Sequence, residues 1–320
     1  MAEFISTFIT GFQDVVAQDL PRRLSGVKIL TCYDGLIHYR FDGDSHQLER
    51  IIYFNNTFFV LKTMKGKGLN FPSLVGALCQ SKNYFLVNKG SFRVRFIQEN
   101  QFAKVDKNLA RRAEEYVLSN SKLKLDRLSP TNEVWFSIRR EGFAFCGELI
   151  SKREFTEKNL HKGELRPEIA YLMCCYAELE KGSVVADPFC GYGSIPVQLA
   201  KRFNCEKIFA SDIEALRELQ GPQIDYRQAD AFELPQIETE SLDAIITDPP
   251  WGLWEEIADM EGFYKKMFES FKRVLKPEGK MVILSARTAE LEGAAAAAGL
   301  KIKKSLHTLV NGKKATLYGL

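Results

Sequence analysis

The sequence predicts an α/β protein: a C-terminal half built as a mostly parallel sheet with helices on both faces, preceded by an α+β half. Three observations carry this. From Arg166 onward, the apolar strand cores "GSVVADPF", "KIFASD", "LDAIITDP" and "KMVILSA" are separated by stretches with helical spacing, the rhythm of a covered parallel sheet. The end, "LKIKKSLHTLVNGKKATLYGL", reads as two strands about Asn311-Gly312, an antiparallel hairpin closing that sheet. Before Arg166, strands and helices mix without this rhythm.

Element by element, "EFISTFITG" alternates as a strand should, and "FQDVVAQDLPRR" spaces Phe12, Val15, Val16 and Leu20 at helical intervals. "VKILTCYDGLIHYRF" is a hairpin turning at Asp34-Gly35. "DSHQLERIIYFNNTFFVLKTM" is expected to return to helix, opened by an Asp44 or Ser45 cap. The glycine-rich "KGKGLNFP" marks a boundary. Beyond it come a helix ("SLVGALCQS"), a strand ("SFRVRFIQ"), a helix ("KNLARRAEEYVLSN"), and the strands "EVWFSIRR" and "FAFCGELI" around a tight turn at residues 139–142. "SKREFTEKNLHKGELRP" is charged, poor in apolar residues, and reads as a connector. The "GAAAAAG" run is expected to be one short exposed helix.

At 320 residues, two or three domains are expected. No apolar run approaches the roughly 20 residues that span a bilayer, and the N-terminus does not read as a signal peptide. Seven cysteines without a CxxC pair, and four scattered histidines, offer no zinc spacing. Buried thiols in a reducing cytoplasm, with no metal and no membrane, are the expectation. The net charge of +3 conceals an uneven split: residues 1–61 carry −2, residues 62–166 carry +10 and residues 167–320 carry −5. The basic block is the footprint expected for a polyanion. Its basic residues, placed on exposed strands and helix ends, are Arg93, Arg95, Lys104, Lys107, Arg111, Arg112, Arg139 and Arg140.

In "VVADPFCGYGSIPVQLA" a strand ends at Asp187 and a helix begins near Ser194. Gly191 and Gly193 between them let the backbone bend and approach a ligand without a Cβ in the way. The dinucleotide fingerprint fits poorly, since Pro196 stands where its third glycine belongs and Asp187 would repel a pyrophosphate. Asp212 closes the next strand, at a distance suited to a ribose diol. Asp230 follows the strand after that, placed to take an adenine amino group. Singly, each acid is the kind of residue that caps a turn. Three in succession beside a glycine loop suit a cationic nucleoside without phosphates, S-adenosylmethionine.

These stretches resemble the class I S-adenosylmethionine-dependent methyltransferases: "ADPFCGYGSIPVQLA" their first motif, "TDPPWG" their acid-Pro-Pro-aromatic motif, and "FKRVLKPEGKMVIL" their helix–turn–strand. A Rossmann-like domain over residues 166–320 is implied, with cofactor contacts at Asp187, Phe189, Gly191, Gly193, Asp212, Asp230, Ala231 and Asp248. The chemistry accounts for Asp248-Pro249-Pro250-Trp251. An exocyclic amine is planar, and it gains positive charge as it is methylated. Acceptors aimed at its N–H bonds, the Asp248 carboxylate and the Pro249 carbonyl, therefore favour the transition state. Both prolines stiffen the turn without adding donors. Trp251 offers a flat face for a base.

"NYFLVNKGSFRVRFIQENQFAKVDKNLARRAEEYVL" and the strands beyond it resemble a THUMP domain, preceded by a ferredoxin-like module. "HKGELRPEIAYLMCCYAEL" is similar to the lead-in helix of THUMP-containing methyltransferases, which brings Arg166 and Pro167 to the cofactor. The resemblance implies residues 1–64 as the ferredoxin-like domain, 65–150 as THUMP, 151–165 as linker and 166–320 as catalytic domain. It implies methylation of a guanosine N2 amino group in transfer RNA, with THUMP gripping the 3′ end. The tryptophan of "DPPW" keeps adenine-N6 methylation of RNA or DNA open. Ribosomal-RNA guanine-N2 and protein glutamine-N5 methylation also stay open, as does an RNA-binding module with a vestigial catalytic half.

Overall fold

The computed structural model describes residues 2–87, 89–153, 160–215, 219–252 and 257–320. The chain forms two compact units, one of Met1–Phe8 with Leu20–Glu154, the other of Ile9–Asp19 with Phe155–Leu320.

The first unit is built on one nine-stranded sheet. Its first strands are β1 (Ala2–Thr7), β2 (Lys28–Tyr33) and β3 (Leu36–Phe41), followed by β4 (Asn56–Lys65). Then come β5 (Ser91–Gln98), β6 (Gln101–Phe102), β7 (Lys124–Leu125), β8 (Asn132–Arg139) and β9 (Phe143–Lys152). Their order is β2-β3-β1-β4-β9-β8-β5-β6, with β7 beside β5. β4 and β9 run antiparallel from Asn56↔Lys152 to Lys65↔Phe143, a ladder across the expected boundary at residue 64. The helix expected from Asp44 onward is confined to α2 (His46–Glu49); residues 50–55 turn, and β4 takes the remainder. "NTFFVLKTM" is rich in aromatic and branched residues that pack on a pleated surface, and here two neighbouring strands accept it. The Asp44 carboxylate does receive the His46 N–H at 3.0 Å, so the sequence located the start of the helix and missed its end.

Helices α3 (Phe71–Cys79) and α4 (Lys107–Asn120) pack on this unit. A capping box between Asn70 and Ser73 starts α3, and the Asp106 carboxylate caps α4.

The second unit holds a seven-stranded sheet. Its strands are β10 (Val184–Asp187), β11 (Lys207–Asp212), β12 (Ile224–Gln228), β13 (Leu242–Thr247), β14 (Leu275–Ser285), β15 (Lys304–Val310) and β16 (Lys313–Gly319). They are ordered β12-β11-β10-β13-β14-β16-β15. The first five are parallel, while β16 and β15 run antiparallel as the hairpin about Asn311-Gly312. Strand order reverses between β10 and β13, the switch point where open sheets leave a crevice at their carboxyl ends.

The helices of this unit are α5 (Pro167–Tyr176), α6 (Ser194–Arg202), α7 (Met260–Val274) and α8 (Thr288–Ala297). Tyr264, Met267, Phe268 and Phe271 of α7 fill the core against β13 and β14. The alanine run is not an exposed helix: it continues α8 from Thr288, and Ala294 and Ala295 are buried beside Leu291. Small side chains there let the helix approach its neighbours closely.

Residues 9–19, including the start of α1 (Gln13–Arg23), belong to this unit. Tyr171 donates to the buried Asp19 carboxylate at 2.8 Å, and Thr308 Oγ1 donates to the Thr10 carbonyl at 2.8 Å. Gly11, at φ 90°, lies so close that a Cβ would fall 1.9 Å from the His307 carbonyl oxygen. Among the described residues no helix is long and apolar enough to cross a membrane. Residues 154–159 of the expected connector and residues 216–218 of the stretch after β11 lie outside the described residues.

Candidate active site

Asp187 ends β10 almost fully buried, and its Oδ1 accepts the Thr247 hydroxyl at 2.7 Å and the Phe189 N–H at 3.3 Å. The Thr247 bond ties the first-motif strand to the strand that leads into Asp248. Burial, with a smaller contribution from the Asp212 charge, pushes the Asp187 pKa up to about 7. The partly buried Phe189 ring packs against Phe263 and Phe271, so the contact expected of this residue falls to its backbone.

The loop turns through Gly191 and Gly193, the latter left-handed at φ 84° as N-cap of α6. The left-handed backbone is what calls for glycine here, and a Cβ would in addition push Leu219 aside, its Cδ2 lying 2.3 Å away. Asp212 Oδ2 accepts the Gly191 N–H at 2.9 Å and Oδ1 accepts the Glu214 N–H at 3.1 Å. The acid expected to hold a ribose therefore also sets the loop. Asp230 Oδ1 takes the Phe232 N–H at 2.9 Å, a turn-capping bond, and Ala231 is buried behind it. The lead-in stretch reaches the same loop. Ser194 donates to the Leu165 carbonyl at 2.7 Å, Arg166 pairs with the buried Glu168, and His161 stacks on Tyr192 with centroids 4.3 Å apart. Pro167 is the first residue of α5.

Asp248 follows β13, and its Oδ1 is buried with no hydrogen-bond partner among the described residues. Burial first, and then the Asp187 charge, push its pKa up to about 8, with the Trp251 side chain pulling the other way. Pro249 is buried and Pro250 exposed. The Trp251 indole N–H donates to the Leu284 carbonyl at 3.2 Å, and its own carbonyl accepts Arg287 Nε at 2.9 Å. Ser285 Oγ, at the end of β14, bonds the Tyr264 hydroxyl at 2.8 Å and receives the Arg287 N–H at 2.9 Å. Thr247, Tyr264, Ser285 and Arg287 were missed in the sequence. The one available signal was that Ser285 closes a parallel strand and Arg287 stands just beyond it, at the carboxyl end where such sheets place their ligands.

A buried carboxylate oxygen without a partner is costly unless something arrives to satisfy it. Acids at the ends of β10, β11 and β13, beside a loop open at Gly191, make a donor set that fits a cationic nucleoside.

The basic residues of the first unit divide. Lys104, Lys107, Arg111, Arg112 and Arg140 are exposed. Arg93 and Arg95 are partly buried and share Glu133, with Arg95 also lying 4.8 Å over the Phe102 ring. Arg139 is buried, and its guanidinium donates to Glu141, to Asn100 and, at 2.6 Å, to the Asp34 carbonyl. Its place on an exposed strand end is therefore corrected. Burial beneath the hairpin turn makes it a brace of the fold.

The UPF0020 family, described as RMKL-like, methyltransferase domain, matches residues 153–213 and 213–316, just over half of the chain. The chain belongs to this family. The chain is 27% identical over 225 residues to a tRNA (guanine(6)-N2)-methyltransferase of Thermus thermophilus, covering 65% of this chain and 66% of that one. An Archaeoglobus fulgidus protein of the same name is 23% identical, covering 94% of this chain and 87% of its own. A tRNA (guanine(10)-N2)-dimethyltransferase of Methanocaldococcus jannaschii is 27% identical over 161 residues, and there the chain spans only 45% of the relative's length. Of solved structures, TrmN from Thermus thermophilus superposes over 100% of this chain and 99% of its own at a TM-score of 0.75 and 20% identity. SMU.472, complexed with SAH, does so over 100% and 97% at 0.70 and 13%. At these identities both speak to the fold alone.

Proposed function

We propose that the protein is an S-adenosylmethionine-dependent methyltransferase acting on the exocyclic N2 amino group of a guanosine in transfer RNA. Asp187, Asp212 and Asp230, with the Gly191–Gly193 loop, would hold the cofactor, and the basic N-terminal unit, read as ferredoxin-like and THUMP modules, would grip the RNA 3′ end. When bound, the cofactor supplies an electrophilic methyl group on a sulfonium sulfur.

The observation that carries this reading is the unpartnered Asp248 Oδ1, buried in Asp-Pro-Pro-Trp one residue beyond the Thr247–Asp187 bond. Asp248 accepts one N–H of the target amine and the Pro249 carbonyl the other, so that the nitrogen lone pair turns out of the ring as it pyramidalises. Both acceptors are fixed before the reaction begins, because proline restricts the residue before it as well as itself. The amine must shed one proton, which Asp248 takes directly or through water. A carboxyl held near neutrality suits that transfer. Trp251 stacks on the base, which has to leave its helical stack to reach the site.

The names of the relatives support the guanine-N2 reading, since all three act on that atom in transfer RNA. Trp251 favours one alternative, an adenine N6 target. Incubation with tritiated cofactor and unmodified transfer RNA, then nucleoside analysis, separates the two. We expect label in N2-methylguanosine. Label in N6-methyladenosine would establish the alternative, and label entering protein in preference to RNA would discard both.

A further inference from the structure

We infer that Arg287 is a positioning residue for the base-binding face of the site, acting through Trp251; the inference rests on the reading above. Trp251 is fastened at two points. Its indole N–H reaches the Leu284 carbonyl at 3.2 Å, which fixes the ring, and its carbonyl accepts Arg287 Nε at 2.9 Å, which fixes the backbone. Neither bond could form if the loop slid along the end of the sheet, so together they set where the ring stands relative to Asp248.

Arg287 is itself held. Its N–H donates to Ser285 Oγ at 2.9 Å, Ser285 Oγ bonds the Tyr264 hydroxyl at 2.8 Å, and Arg287 Nη1 lies 3.8 Å from Glu290 Oε1. Tyr264 is fully buried in the core. The chain of contacts therefore runs from the rigid interior, through Ser285 and Arg287, to the carbonyl of the aromatic residue. Gly252, at φ 66°, follows immediately and offers the loop a pivot. Without Arg287 the loop keeps its prolines but loses its far anchor. Because a misplacement of about 1 Å in a reacting group costs on the order of a hundredfold in rate, one backbone hydrogen bond at this point reaches catalysis.

The test uses the full-length chain with Trp135→Phe and Trp254→Phe, leaving Trp251 as sole reporter, with and without Arg287→Ala. Acrylamide quenching of Trp251 should rise about twofold when Arg287 is removed, as expected of a ring freed from one anchor. In the otherwise native chain, Arg287→Ala should lower kcat by about tenfold or more. Cofactor affinity and thermal midpoint should stay close to those of the parent. Arg287→Lys, which retains a donor but not the planar fork, should recover part of the rate.

Unchanged quenching would overturn the inference, as would a kcat within twofold of the parent. So would a loss of cofactor binding or thermal stability that tracks the loss of rate, because that marks a merely structural role. Raised quenching in a protein whose parent methylates no RNA would leave Arg287 as the anchor of Trp251 and instead overturn the proposed function.

Discussion

At the carboxyl ends of β10 and β13 in the seven-stranded sheet, the acids of the candidate site are held by neutral donors or, among the described residues, by nothing. On β5 and β8 of the nine-stranded sheet, three arginines of the basic block are already paired with carboxylates. Asp187 rests on a hydroxyl and a backbone N–H, and Asp248 Oδ1 has no partner among the described residues. Arg93 and Arg95, by contrast, close on Glu133, and Arg139 is spent on Glu141, Asn100 and Asp34. The difference teaches how to read an ionisable side chain. A charge already satisfied by its neighbours maintains the fold, and a charge buried without satisfaction awaits a ligand.

The largest effect expected from breaking this contrast is at Asp248. Asp248→Ala should reduce methyl transfer on the order of a thousandfold while leaving RNA affinity, read by filter binding, nearly unchanged. Activity within a few-fold of the parent would move the chemistry elsewhere. On the other sheet, Arg139→Ala should remove the guanidinium bonds to Glu141, Asn100 and the Asp34 carbonyl. That loss should cost about 2–4 kcal/mol, read as a lowered denaturation midpoint. A neutral result would return Arg139 to the surface. Smaller still, Arg111→Ala with Arg112→Ala should weaken RNA binding about tenfold and flatten its salt dependence, measured by titration at several ionic strengths.

The smallest effect is the sharpest in sign. Burial holds Asp187 near 7 and Asp248 near 8, so both ionise as pH rises from 6 to 9. A sulfonium cation prefers the ionised pair. Calorimetry should therefore show S-adenosylmethionine binding several-fold tighter at pH 8.5 than at pH 6, with S-adenosylhomocysteine, which lacks the charge, changing less. Equal changes would mean that these acids do not face the sulfonium. For the ligand-free protein the sign is reversed. Because folding raises both pKa values, their contribution to stability is complete below the usual carboxyl range. It is lost as pH climbs through 7 to 8.

The strand-end acids and the glycine loop were legible because parallel sheets place ligands at their carboxyl ends, and because turns demand glycine. The hairpin about Asn311-Gly312 was legible for the same local reason. What could not be read was pairing at a distance. Arg139 meets Asp34 across 105 residues and Thr247 meets Asp187 across 60, through sheet registers that no window of sequence contains. The stretch from Asp44 was misjudged for a related reason. A run with mixed periodicity becomes a strand when two neighbours offer it an edge, and β1 and β9 do. Burial of the alanine run is likewise a property of what surrounds α8, since alanine favours a helix in either setting.

Residues 9–19 meet partners made almost at the other end of the chain, Thr10 with Thr308 across 298 positions. At ribosomal speeds of about 5–20 residues per second, that separation is a wait of roughly 15–60 s. During it, Phe12, Val15 and Val16, buried in the finished protein, have no interior to enter. A fragment begun at the connector would lack them altogether. The second unit is thus completed by a stretch of chain translated well before the rest of it, and severing the gene between the two units would leave that unit missing a piece of its own wall.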